Sequence, residues 1–126
     1  MRSEVIDMMN VCLQEVREVL RMLRRPFLLE QSRLARSLRQ AYGATDALSA
    51  VLEAIREATS SSAAYGDVYS EIIHRCDVKA ESTKQAAAAM HMSIRTFFRF
   101  RKDAIALVAV TFGRRLRATN THQVAV

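Results

Sequence analysis

Between Lys84 and Lys102 the chain sets cations and aromatic rings at intervals that suit a polyanion. Arg95, Arg99 and Lys102 step by four and three, which places them on one face of a helix. Thr96 and Phe98 flank that face, and Lys84 and Ser93 stand ahead of it. An arginine there can grip a guanine edge in a bidentate fork, and a phenylalanine can meet a thymine methyl or a sugar. Lysine neutralises phosphate as a point charge. The charge distribution points the same way. Residues 84–126 hold 8 Lys/Arg against Asp103 alone, whereas residues 1–83 hold 11 Lys/Arg and 12 Asp/Glu. The net +6 therefore sits in the C-terminal third, as an electrostatic footprint for nucleic acid or, on charge alone, as a solvated basic tail.

Other chemistry is thin. His74, His91 and His122 share no ligand spacing with one another or with Cys12 and Cys76, so neither a metal nor another cofactor is expected. The carboxylates are scattered as partners for arginine, with no paired acid/base arrangement, no glycine-rich phosphate loop, no GxSxG and no HExxH. We expect no enzyme. The two cysteines read as small buried hydrophobes in a reducing compartment. No apolar run reaches 18 residues, and the N-terminus mixes acids and bases, which argues against a membrane span or signal peptide and for a cytoplasmic protein of bacterial type.

The elements that must position the basic face are helical. Half of the 126 residues are hydrophobic, and only three Gly and one Pro punctuate them, so the expected class is all-α with about six helices. We divide the chain into an N-terminal helical bundle and dimerisation region over 1–62, a helix-turn-helix region over 63–118 and a flexible tail over 119–126. From Ser3 to Arg24, Val5, Met9, Cys12, Val16, Val19 and Leu23 step by four and three as a heptad seam, widened by Ile6, Leu13 and Leu20. That helix packs on the chain's own helices or on a second copy. Pro26 is expected to close it. A second helix is expected over Phe27–Ala41, with Leu28, Leu34 and Leu38 inward. Gly43 then serves as C-terminal cap and Thr45 as the next N-cap. A third helix spans about Asp46–Ala58, turning Leu48, Val51, Leu52 and Ile55 inward. After the loop "TSSSAAYG", a fourth spans Asp67–Asp77, and Ser82 or Thr83 caps a fifth through Met90.

A DNA-reading helix pair needs a small residue where its two helices cross, hydrophobic residues around a short turn, an N-cap, and two core anchors on the second helix. Ala87 is the small residue, Met90 and Met92 bracket His91 at the turn, Ser93 is the cap, and Phe97 and Phe100 are the anchors. That leaves Arg95 and Thr96 for base edges. Arg99 and Lys102, a turn further on, are placed for phosphate, as is Lys84 with the free N–H groups of its helix. The following span, Ile105 to Phe112, is apolar almost all round, so the N-terminal helices or a second subunit must cover it. Gly113 is expected to end the helix. With the heptad seam, this favours a homodimer through the N-terminal helix and the 104–112 segment.

The stretch "STKQAAAAMHMSIRTFFRFRKDAIALVA" resembles the C-terminal helix-turn-helix of sigma-factor region 4 and its relatives among bacterial regulators. Ala86–Ala87, Met90-His91-Met92-Ser93, Arg95–Thr96, Arg99, Arg101 and Ala104 stand at the positions of that pattern. A looser likeness covers "SRLARSLRQAYGATDALSAVLEAIREA", which is similar to the helical lead-in of some such regulators. His91 stands where that pattern usually has glycine, a position that takes positive φ at a cost of roughly 1 kcal/mol for a side-chain-bearing residue. The resemblance implies a sequence-specific DNA-binding transcriptional regulator whose partner is double-stranded DNA, with RNA polymerase as a further candidate partner. The alternative is an all-helical protein–protein module, an adaptor to polymerase or to a regulatory complex, that binds no DNA itself.

Overall fold

A computed structural model of the chain describes the backbone of residues 12–125 and the side chains of residues 12–118. The described residues form seven α-helices and no strand, an all-α fold. They are α1 (Leu13–Arg21), α2 (Pro26–Leu29), α3 (Arg33–Tyr42), α4 (Ala47–Ser60), α5 (Gly66–Ile73), α6 (Thr83–Ala89) and α7 (Ile94–Ala125). A 3₁₀ turn, Met22–Arg24, continues α1, and a π-helical stretch, His74–Val78, continues α5.

The described part of the heptad seam turns into this chain's own core. Val16, Val19, Leu20 and Leu23 are buried, against α3 and α7. Cys12 and Leu13 are exposed instead of buried, and Cys76 is only half-buried. Val5, Ile6 and Met9 lie outside the described residues.

The second expected helix is split. Pro26 occupies the first position of α2, where its missing N–H costs nothing, so it opens a short helix as well as closing the previous one. Ser32 then leaves helical geometry and caps α3, its Oγ accepting the Ala35 N–H at 3.2 Å. The break shifts the register by one residue, burying Leu29 and leaving Leu28 exposed. Gly43 ends α3 in the left-handed conformation at φ 62°, as its place after the last periodic residue predicts. Asp46, rather than Thr45, caps α4: its carboxylate accepts the Ser49 N–H at 2.7 Å, while Glu30 takes the Ala47 N–H, also at 2.7 Å. On α4 a row of Ala47, Ala50, Ala54 and Ala58 lies fully buried beside Val51 and Ile55, and Leu52 points to solvent. Gly66, at the start of α5, comes so close to α4 that a Cβ would lie 2.3 Å from the Thr59 carbonyl oxygen. Only glycine lets the two helices meet there.

The longest element is α7, which does not stop at Gly113 but continues through it to Ala125, across the segment expected to be a flexible tail. Its Ala104, Ile105, Val108, Ala109 and Phe112 belong to the same core as α1, α3 and α4. Packing on several sides therefore holds the helix where the isolated propensity of glycine would end it. Within residues 104–112 only Ala106 and Val110 are exposed, the others packing against this chain's own helices. The larger core draws on residues from both sides of position 62.

Candidate nucleic-acid interface

The helix-turn-helix is built on a second, smaller core. Ile72 of α5, Ala86 and Ala87 of α6 and Phe97 of α7 are buried together, with Met90, Met92 and Phe100 packed around them. Ala86 and Ala87 are at most 1 % exposed, which leaves no space for a larger side chain where the helices cross. Phe97, at 1 % exposure, is the principal anchor, as its spacing predicts. Phe100 is half-buried and closes the other flank, its ring centroid 5.6 Å from Tyr65 and 6.2 Å from Tyr69.

Backbone and side-chain hydrogen bonds set the angle between α6 and α7. Ser82 and Gln85 form a reciprocal capping box at the start of α6, with bonds of 3.0 and 3.1 Å. The Ser82 and Gln85 N–H groups are thereby taken, in the turn that also carries Lys84. At the other end the Met92 N–H reaches the Ala87 carbonyl at 2.9 Å, and the His91 N–H reaches that of Ala88 at 3.1 Å. These are the two bonds of a Schellman motif, and they require His91 in left-handed geometry. His91 is there, at φ 57°. Ser93 then caps α7, its Oγ accepting the Thr96 N–H at 3.1 Å and donating to the Thr96 Oγ1 at 3.0 Å.

With Phe97 held inward, the opposite face of α7 is set by helical geometry. Arg95, Phe98, Arg99 and Lys102 are all exposed along it, Thr96 is half-exposed at one flank, and Ile94 lies at the start. Phe98 is 56 % exposed and is therefore not a core residue. The Arg99 guanidinium lies 5.7 Å from the centroid of the Phe100 ring, a cation–π contact that draws it toward one side of the stripe. Lys84 is exposed on α6, outside the stripe itself. Ser93 is exposed at the N-terminal end of α7, its hydroxyl already bound to Thr96. The structure thus brings Arg95, Phe98, Arg99 and Lys102 together, with Ser93 and Thr96 at one end and Lys84 on the neighbouring helix α6.

Arg101 has a different position from its neighbours. It forms a bidentate pair with Asp77, Nη2 donating to Oδ1 at 2.9 Å, and Asp77 is buried in the π-helical end of α5. The pair ties the end of α5 to α7 and fixes the rotation of α7. Nothing in the sequence announced it: the partners lie 24 residues apart, and neither belongs to a periodic pattern.

Two further cations were missed. Arg17 and Arg21 of α1 line a groove of about 400 Å³ together with Phe98, Arg101, Lys102 and Ile105. Their spacing of four places them on one face of α1, but only the tertiary packing of α1 beside α7 brings that face to the exposed stripe of α7.

Among the described residues no group of three His, Cys, Asp or Glu could hold a metal ion, and no helix is long and apolar enough to cross a membrane. No protein-family model matches the chain, and neither a curated protein nor a solved structure matches it.

Proposed function

We propose that the protein is a sequence-specific transcriptional regulator, cytoplasmic and of bacterial type, that binds double-stranded DNA through α6 and α7. One observation carries the reading. The exposed stripe Arg95, Phe98, Arg99 and Lys102 stands on a capped helix whose angle is fixed by a Schellman turn at His91 and by the close Ala86–Ala87 crossing. A helix so presented enters the major groove N-terminus first, which brings Arg95 and Thr96 to base edges and carries Arg99 and Lys102 along the phosphates. The resemblance of Ala86–Ala104 to sigma-factor region 4 supports the same reading. A homodimer, which would set two such helices over a roughly palindromic site, belongs to the same proposal.

Selection of bound fragments from a random DNA pool tests this reading. A recovered consensus is expected, with affinity falling steeply between 50 and 200 mM salt through counterion release. Replacing Arg95 and Arg99 together by Ala is expected to abolish specific retention while leaving the helical content intact. Retention that survives this double substitution would remove the recognition-helix assignment.

One observation favours a second reading. Ile94 and Phe98 are large apolar side chains exposed on the same face, at 47 % and 56 %. On that reading the face docks a protein, such as polymerase or another regulator, and binding barely responds to salt.

A further inference from the structure

We infer that the DNA footprint extends from α7 onto α1, where Arg17 and Arg21, with Lys102, clamp the sugar–phosphate backbone bordering the groove that α7 enters. This inference rests on the DNA-binding reading above and adds a surface outside the helix-turn-helix. Arg17, Arg21 and Lys102 are exposed and line one groove, whose lining contains no carboxylate. Its fourth cation, Arg101, is already neutralised by Asp77. Among the described residues the other three have no carboxylate within ion-pair distance, so their charge is available to a ligand. The groove is continuous with the exposed stripe because Phe98 and Lys102 belong to both.

Dimensions agree with a backbone occupant. A major groove is about 12 Å wide, so a helix centred in it has a phosphate wall about 6 Å from its axis. A helix packed beside it lies about 8–10 Å away, axis to axis. Long side chains on α1 that face the shared groove therefore meet that wall. Arg17 and Arg21 are separated by about 6 Å along α1, which lets them engage successive positions on one strand. Phe98, between them and the base-reading residues, provides an apolar wall for the deoxyribose.

The test measures affinity of the full chain for a selected duplex by fluorescence anisotropy over a salt series. Arg17→Ala with Arg21→Ala is expected to lower the slope of log affinity against log salt by about 1.8, for two lost phosphate contacts. The loss should be uniform across fragments, leaving the consensus unchanged. Arg17→Lys with Arg21→Lys should keep the wild-type slope. Phe98→Ala should weaken binding several-fold with the slope unchanged. An unaltered slope in the double Ala variant, with its circular dichroism and thermal midpoint as in the wild type, would overturn the α1 clamp alone. If the wild-type chain retains no fragment, the DNA-binding reading fails and the clamp with it. A changed consensus in the double Ala variant would move these arginines from backbone to base contact and so overturn the clamp.

Discussion

The two ends of the molecule are held by different means. The bundle end buries twenty apolar residues from α1 to α7 in one cluster, with alanines on α4 letting the helices approach closely. Among the described residues the helix-turn-helix end has an apolar core of Ile72, Ala86, Ala87 and Phe97. It makes up for that small core with directed interactions: a capping box, a Schellman turn, a serine cap and the Asp77–Arg101 pair. Apolar burial stabilises in proportion to area and tolerates small shifts, whereas capping bonds and bidentate pairs specify angles. A helix that must present its side chains at a fixed attitude calls for the second kind of support.

The largest effects should come from the two buried phenylalanines. Phe112→Ala and Phe97→Ala are each expected to cost about 3–5 kcal/mol. They should differ in reach: amide exchange in Phe112→Ala should rise throughout α1, α3 and α4, whereas in Phe97→Ala it should rise most in α6 and the start of α7. Equal loss of α4 protection in both would show a single cooperative unit and dissolve the contrast. Asp77→Ala should cost about 3 kcal/mol in urea denaturation, because it leaves Arg101 without its partner in a partly dry site. The paired change Asp77→Leu with Arg101→Met should recover much of that stability while loosening the attitude of α7.

Besides its caps at Ser32 and Asp46 and its turn at Gly43, the bundle end has a directed cluster that pH probes. Tyr42 donates to Glu57 at 2.7 Å, and Arg115 donates to the same carboxylate at 3.1 Å while lying 4.4 Å from the Tyr42 ring centroid. The Tyr42 bond, against some desolvation and with help from Arg115, holds the Glu57 carboxyl below its usual range. Its contribution is therefore full above the unfolded carboxylate value of about 4.3 and is lost as pH falls through the lower folded value. Burial, then the bond to Glu57, pushes Tyr42 up to about 12, so its share persists to about pH 10 and is lost toward 12. Thermal midpoints of Glu57→Gln should fall less between pH 5 and 3 than those of the wild type, and Tyr42→Phe should flatten the alkaline limb. The smallest effect is expected at the turn. His91→Gly relieves about 1 kcal/mol of left-handed cost. The entropy of an unfolded glycine offsets part of this, leaving a gain of about 0.5 kcal/mol by urea denaturation.

Much of the helix-turn-helix was legible because each of its parts has a local signature. Ala87, His91, Ser93 and Phe97 stand where the crossing, the turn, the cap and the anchor require them, and each is found in that role. The bundle was legible mainly as periodicity. Its boundaries failed where two local rules competed: Pro26 can end one helix or begin another, and Ser32 can sit within a helix or cap it. Gly113 misled for a different reason, since packing along Ile105–Phe112 outweighs the propensity of a single residue. The Asp77–Arg101 pair, and the meeting of Arg17 and Arg21 with Phe98, depend on how separate helices come together. No window of the sequence contains either.

The continuity of α7 has a mechanical consequence. Arg95 and Phe112 lie on the same uninterrupted helix, 17 residues and therefore about 25 Å apart. There is no hinge residue between them, and the proximal end is clamped between α1, α3 and α4. Its distal half packs on α5 and α6, so the helix acts as a strut that joins the two cores. A tilt of about 5° imposed at the bundle would carry Arg95 through about 2 Å by lever geometry along that length. That travel is comparable to the whole tolerance of a bidentate hydrogen bond, so on the proposed reading a tilt imposed on the strut would be felt at Arg95.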